Sequence, residues 1–161
     1  MTTDYKALMT ALVGKRVDFV VIGAVALVLH GSARVTRDLD ICYSRERANL
    51  RALAAALKPF APTVRGAPDT LPFTLDAATL ASGLNFTLTS SAGDVDLFGE
   101  VTGLGGFAVV NRLAEPMTLY GSEIRVLTLD GLERAKRAAG RLKDLADLAE
   151  ILELRRRRPT A

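Results

Sequence analysis

Val20-Val21-Ile22-Gly23-Ala24-Val25-Ala26-Leu27-Val28-Leu29-His30-Gly31-Ser32-Ala33-Arg34-Val35-Thr36-Arg37-Asp38-Leu39-Asp40-Ile41 is the stretch on which the fold turns. Residues 17–22 form a continuous apolar run rich in β-branched side chains, which predicts a strand buried on both faces. Gly23 ends that strand, and residues 24–30 read as a short apolar helix closed by Gly31. Backbone N–H groups at such a helix start favour an anion, and Gly23 lets a phosphate approach the backbone closely. Residues 38–43 alternate carboxylate and apolar side chain, which is strand spacing. Asp38 and Asp40 then share one face, while Leu39 and Ile41 point into the core. Two adjacent carboxylates repel and raise each other's pKa. A divalent cation removes that penalty, and Mg²⁺ takes oxygen ligands shared with substrate phosphates. A polar strand face without a ligand is the plainer alternative.

Working outward, residues 4–15 carry apolar side chains at helical spacing, and residues 45–58 read as a helix stopped by Pro59. Residues 59–72 are rich in Pro and Gly and predict a loop. Residues 75–82 predict a short helix with Asp76 near its start. Residues 84–89 and 95–98 predict two strands joined by a turn at 90–93. Asp96, between Val95 and Leu97, lies within the second of these. If that strand neighbours the first, Asp96 completes a three-carboxylate site able to hold two metal ions. Asp94 is assigned to the turn, where Asp is common.

Residues 107–111, 115–120 and 123–127 are further strand candidates, the last two a hairpin around Tyr120-Gly121-Ser122. Residues 129–139 and 141–153 predict helices separated at Gly140. This order predicts an α/β (α+β) fold, a mixed β-sheet flanked by helices. The expectation is one domain over residues 1–161, with a helical C-terminal segment at about 129–155.

Nearly half of the 161 residues are apolar and about a quarter are charged, so the chain reads as globular. The longest apolar run, residues 19–29, is too short to span a bilayer, and residues 1–15 lack a signal-peptide pattern. Cys42 is the single cysteine, which excludes an internal disulfide and a cysteine-built zinc site. A cytoplasmic location is the resulting expectation. The net charge is +3, with a basic run at residues 155–158. Such a run can hold nucleic-acid phosphates, but a frayed, solvated helix end is the favoured reading.

Gly23-Ala24, a long gap and Asp38-Leu39-Asp40-Ile41 resemble the signature of the DNA polymerase β-like nucleotidyltransferase superfamily. The fuller string of Ala26, His30-Gly31, Arg34, Thr36 and Asp38-Leu39-Asp40-Ile41 resembles the AbiEii-type abortive-infection toxins and their small bacterial relatives. Lys136, Arg141, Lys143-Asp144-Leu145 and Asp147-Leu148 are similar to that family's late Arg-x-Lys-Asp-x-x-Asp-Leu helix. The resemblance spans about residues 17–152 and implies the nucleotidyltransferase fold. It implies transfer of a nucleoside monophosphate from a triphosphate to an acceptor hydroxyl on RNA, tRNA or protein, in a toxin–antitoxin or phage-defence setting.

In that reading Asp38 and Asp40 hold two Mg²⁺ ions, with Mn²⁺ an alternative, and Asp96 binds the catalytic metal and helps to activate the acceptor. Gly23 and Ala24 hold phosphates through their backbone. Arg34, Thr36 and Lys143 are the further nucleotide-binding candidates. Ala24 stands where the signature has a second Gly or Ser, so a hydroxyl contact to phosphate is lost and the backbone N–H remains.

Ala24 and the brevity of the helical C-terminal region motivate a second reading, a nucleotide-binding or antitoxin-like module without catalysis. A small-molecule acceptor such as an antibiotic is a third. Arg37 reads as a surface charge, His30 as a structural residue at a helix end, and Cys42 as a small buried side chain.

Overall fold

The apolar run becomes a four-residue central strand with no exposed position, Phe19–Ile22 (β1). This computed structural model describes residues 2–158. The chain enters through a helix, Tyr5–Gly14 (α1), whose first turn is capped by the Asp4 carboxylate accepting from the Ala7 N–H at 3.0 Å. After β1 come a seven-residue helix, Gly23–Leu29 (α2), the acid-bearing strand Asp38–Tyr43 (β2) and the helix Arg47–Leu57 (α3). A two-residue strand, Thr63–Val64 (β3), interrupts the predicted loop. Next are Ala77–Ser82 (α4), capped by Asp76, then Asn85–Ser90 (β4) and Gly93–Phe98 (β5).

Glu100–Val101 (β6) and Gly105–Gly106 (β7) make a small separate ribbon. Phe107–Arg112 (α5) leads to the hairpin Ala114–Leu119 (β8) and Ser122–Leu127 (β9). Leu129–Ala139 (α6) and Leu142–Arg157 (α7) follow, separated at Gly140, which takes the left-handed conformation.

Seven strands form one mixed sheet in the order β3-β4-β5-β2-β1-β9-β8. β1 runs antiparallel to β2 and parallel to β9, and β2 runs parallel to β5. Parallel neighbours need long crossovers, and β2 reaches β5 through α3, β3, α4 and β4. Leu8, Met9 and Leu12 of α1 and Leu53 and Leu57 of α3 are buried in one core with Val20, Leu39 and Ile41. Each such side chain contributes roughly 1.5–3 kcal/mol by leaving water. Among the described residues no helix is long and apolar enough to cross a membrane.

Three expectations are corrected. Residues 107–111 form helix α5 rather than a strand. A short apolar run satisfies either period, and this one turns helical to bury Val110 and pack against β1. Asp94 lies within β5 rather than in the turn, because the strand starts at Gly93. The basic end is not frayed over its described part. α7 continues to Arg157, and Arg155 pairs with Asp130 and Glu133 of α6.

Candidate active site

The parallel register of β2 and β5 sets Asp38 opposite Asp94 and Asp40 opposite Asp96. Adjacent strands lie about 4.8 Å apart, so same-face carboxylates on facing positions must meet. One oxygen from each of Asp38, Asp40 and Asp96 lies within 4.8 Å of the others. Asp94 shares their face and accepts from the Thr89 hydroxyl at 3.1 Å.

The three carboxylates differ in exposure. The Asp38 side chain is 43% exposed and that of Asp96 17%. Burial, then the charges of Asp96 and Asp38, push the Asp40 carboxyl up to about 7. Burial also leaves Asp96 above the usual carboxylate range, although the Arg65 guanidinium opposes this. Asp40 Oδ1 is buried and has no hydrogen-bond partner. Crowded carboxylates with an orphaned oxygen suit a hard divalent cation, which takes oxygen ligands and stabilises the charged form.

Gly23 is fitted to Asp40. Its φ is +67°, and a Cβ built there would lie 2.2 Å from Asp40 Oδ2. The glycine therefore admits the acid as well as turning the chain from β1 into α2. Ala24 is half-buried in the first turn of α2, and no side chain caps that turn.

A cavity of about 420 Å³ opens beside this pair, lined by Gly23, Asp40, Asn85, Phe98, Leu132 and Lys136 among others. Lys136 is thus the lysine beside Asp40, and its charge lowers the Asp40 pKa in opposition to burial. Lys143 does not line the cavity and is exposed on α7. Lys143, expected beside the phosphates, thus lies away from this cavity. The helical turn that turns Asp144 inward, leaving it 1% exposed, carries its neighbour Lys143 outward.

The late helix instead builds an ionic junction. Lys136 Nζ lies 2.9 Å from Asp147 Oδ2 and 3.4 Å from Asp144 Oδ1. The Arg141 guanidinium, 2.8 Å from Asp144, and the Arg141 backbone N–H hold the Asp144 carboxyl down to about 2. Arg34 Nη2 is 2.6 Å from both Asp147 and Glu150. Arg34 therefore ties the loop before β2 to α7 rather than reaching the acid cluster. Thr36 also braces that loop: its hydroxyl donates to Asp38 O at 3.3 Å, and its carbonyl accepts from the Tyr5 hydroxyl at 2.9 Å.

His30 is buried at the end of α2, where Nε2–H donates to Leu127 O at 2.8 Å. Burial lowers its pKa. Cys42 is fully buried, and burial pushes its thiol up to about 12. Arg37 is exposed.

Sequence reasoning missed Arg65. It follows the edge strand β3, and its Nη2 donates to Asp96 Oδ1 and to Leu88 O, each at 2.7 Å. Its Nε lies 3.3 Å from Asp94 Oδ2, and its Nη1 lies 4.0 Å from Asp38 Oδ2. The only local signal was the β-branched pair Thr63-Val64 just before it, within a Pro- and Gly-rich segment.

No family model matches the chain, and no curated protein matches it. Solved structures do. The chain aligns over 92% of its length with 89% of a candidate nucleotidyltransferase from Thermotoga maritima, at 18% identity and a TM-score of 0.58. It aligns over 92% of its length with 85% of ANT(2″)-Ia, solved in complex with adenylyl-2″-tobramycin, at 12% identity and a TM-score of 0.60. A third likeness is an antigenic nucleotidyltransferase-like protein from Paracoccidioides brasiliensis, with 95% of this chain on 77% of that one, 15% identity and a TM-score of 0.51. The chain has the nucleotidyltransferase fold.

Proposed function

We propose that this protein is a metal-dependent nucleotidyltransferase. The observation that carries the reading is the meeting of Asp38, Asp40 and Asp96, with Asp40 packed on Gly23 and these two lining a cavity of about 420 Å³. Asp38, Asp40 and Asp96 would hold Mg²⁺ or Mn²⁺. Bound there, the cation supplies charge neutralisation for a triphosphate and for the oxygen that leaves. The fold likeness to a protein solved in complex with adenylyl-2″-tobramycin supports a nucleotide ligand.

In this mechanism an acceptor hydroxyl attacks the α-phosphorus. The bond from that phosphorus to the bridging β-phosphate oxygen breaks, and pyrophosphate leaves. The Asp96 carboxylate would take the hydroxyl proton. Lys136, which lines the cavity while its Nζ pairs with Asp147 at 2.9 Å, would turn that Nζ to the triphosphate in the role expected of Lys143. Phosphate contact by the Gly23 and Ala24 backbone rests on the family resemblance. So does an RNA, tRNA or protein acceptor in a toxin–antitoxin or phage-defence setting.

The test offers α-labelled nucleoside triphosphates with Mg²⁺ or Mn²⁺ to tRNA, protein and aminoglycoside acceptors. Transfer that disappears in the Asp38→Asn, Asp40→Asn double variant is expected. Transfer that persists undiminished there sinks the assignment. A non-catalytic nucleotide-binding module is favoured by two observations, Ala24 in the first turn of α2 and Arg65 on Asp96. Metal-dependent nucleotide binding with no transfer to any acceptor would select it.

The two lysines separate in the same assay. Lys136→Met weakens triphosphate binding about tenfold, the loss of one charge-assisted contact, whereas Lys143→Met stays within about twofold. Equal losses in a nucleotide titration would return the phosphate role to Lys143.

A further inference from the structure

Lys136 and Arg34 direct their charge to α7, but Arg65 directs its charge to the acid cluster. Its guanidinium donates to Asp96 at 2.7 Å and faces Asp94 at 3.3 Å and Asp38 at 4.0 Å. Two of the three carboxylates able to share an ion thus already face a cation. That 2.7 Å charge-assisted hydrogen bond occupies one lone pair of Asp96 Oδ1 and fixes a positive charge beside the oxygens that a metal would share. Mg²⁺ demands ligand oxygens at about 2.0–2.1 Å and repels a fixed positive charge a few ångströms away.

We propose that Arg65 is the resident counter-ion of the cluster, and that a divalent cation loads by displacing its guanidinium from Asp96 and Asp38. The proposal rests on the reading of Asp38, Asp40 and Asp96 as metal ligands.

The surroundings of Arg65 suit this exchange. The guanidinium has two neighbours that are not candidate ligands, Leu88 O, which accepts from Nη2 at 2.7 Å, and the Asp94 carboxylate, ion-paired to Nε at 3.3 Å without a hydrogen bond. Its backbone N–H is pinned to Thr87 O at 3.0 Å, so the side chain swings while the main chain stays in register. β3 is a two-residue edge strand, and Gly66, at φ +78°, has open space beside it. An arginine stays charged at every physiological pH, so the cluster keeps its counter-ion whenever metal is absent. The cation then loads best as a metal–triphosphate complex, because the phosphates bring their own oxygen ligands to the exchange.

The test is Mn²⁺ affinity of the whole chain without nucleotide, read from the free-Mn²⁺ electron paramagnetic resonance signal. Arg65→Gln binds Mn²⁺ about tenfold tighter than wild type. Arg65→Lys, which keeps a charge on a shorter reach, falls between them. In chelator Arg65→Gln melts below wild type, and Mn²⁺ closes that gap. Unchanged or weaker binding in Arg65→Gln, with binding lost in Asp40→Asn, overturns the counter-ion role and leaves the metal site standing. No binding by either wild type or Arg65→Gln overturns both.

Discussion

Asp40→Asn abolishes transfer and, at pH 8 without metal, makes the protein more stable. The Asp40 carboxyl rises from 3.8 to about 7 on folding because of burial and the charges of Asp96 and Asp38. Between those values the folded state binds a proton that the unfolded state has released. Stability therefore falls as pH climbs from about 4 to about 7, and the full penalty is present above 7. Asparagine keeps the shape and carries no charge. The gain at pH 8 is on the order of 2–4 kcal/mol, or roughly 5–10 °C in Tm for a chain of this length.

Below pH 4 the gain vanishes, because wild-type Asp40 is protonated in both states. Added Mg²⁺ narrows the difference, since the cation stabilises only the wild-type carboxylate. Transfer falls at least about 10³-fold with the loss of a ligand that neutralises charge in the transition state. Thermal scans in chelator at pH 5 and pH 8 check the sign. A variant that melts below wild type at pH 8 contradicts the electrostatic account of the cluster.

Gly23→Ala damages the site from the opposite side. The new Cβ would stand 2.2 Å from Asp40 Oδ2 and 3.0 Å from Asp40 Cγ, at a φ of +67°. The left-handed backbone alone costs about 1–2 kcal/mol for a residue with a Cβ. The overlap adds to this by forcing the carboxylate out of its place. Misplacing a reacting group by about 1 Å can lower a rate 10²-fold, and a comparable loss of transfer is expected here.

Gly121 supplies the control. Its φ is +78° but nothing lies within 4 Å of its built Cβ, so Gly121→Ala loses only the backbone part. Pairing Gly23→Ala with Asp40→Ala removes the contacts at 2.2 and 3.0 Å and leaves one of 3.1 Å to the Cβ of residue 40. The double variant is then less destabilised than the two single changes predict, by at least about 0.5 kcal/mol. Strict additivity in denaturant unfolding would mean that the glycine serves only the turn.

Much of the fold was legible because local rules carried it. The β-branched run at 17–22 predicted a strand without exposed positions, and β1 has none. Alternation at 38–43 predicted β2 with matching bounds. Asp76 caps the helix whose start it marks, and Gly140 separates α6 from α7. Residues 107–111 failed because a short apolar run fits a buried helix as well as a strand. From sequence the end of α7 reads as fraying because its partners, Asp130 and Glu133, lie more than twenty residues away.

For the acid cluster, sequence alone determined which side chains share a face of their own strand, since a period of two depends only on neighbouring residues. That is why Asp38 and Asp40 pair on spacing alone. Only tertiary structure decided that β2 lies beside β5 in a register that aligns Asp40 with Asp96. It also decided that Asp94 joins that face, that Lys136 rather than Lys143 meets the cavity, and that Arg65 reaches the cluster. Those placements come from packing between segments tens of residues apart, where strand order and helix rotation follow from burying one shared core and leave no mark on local spacing.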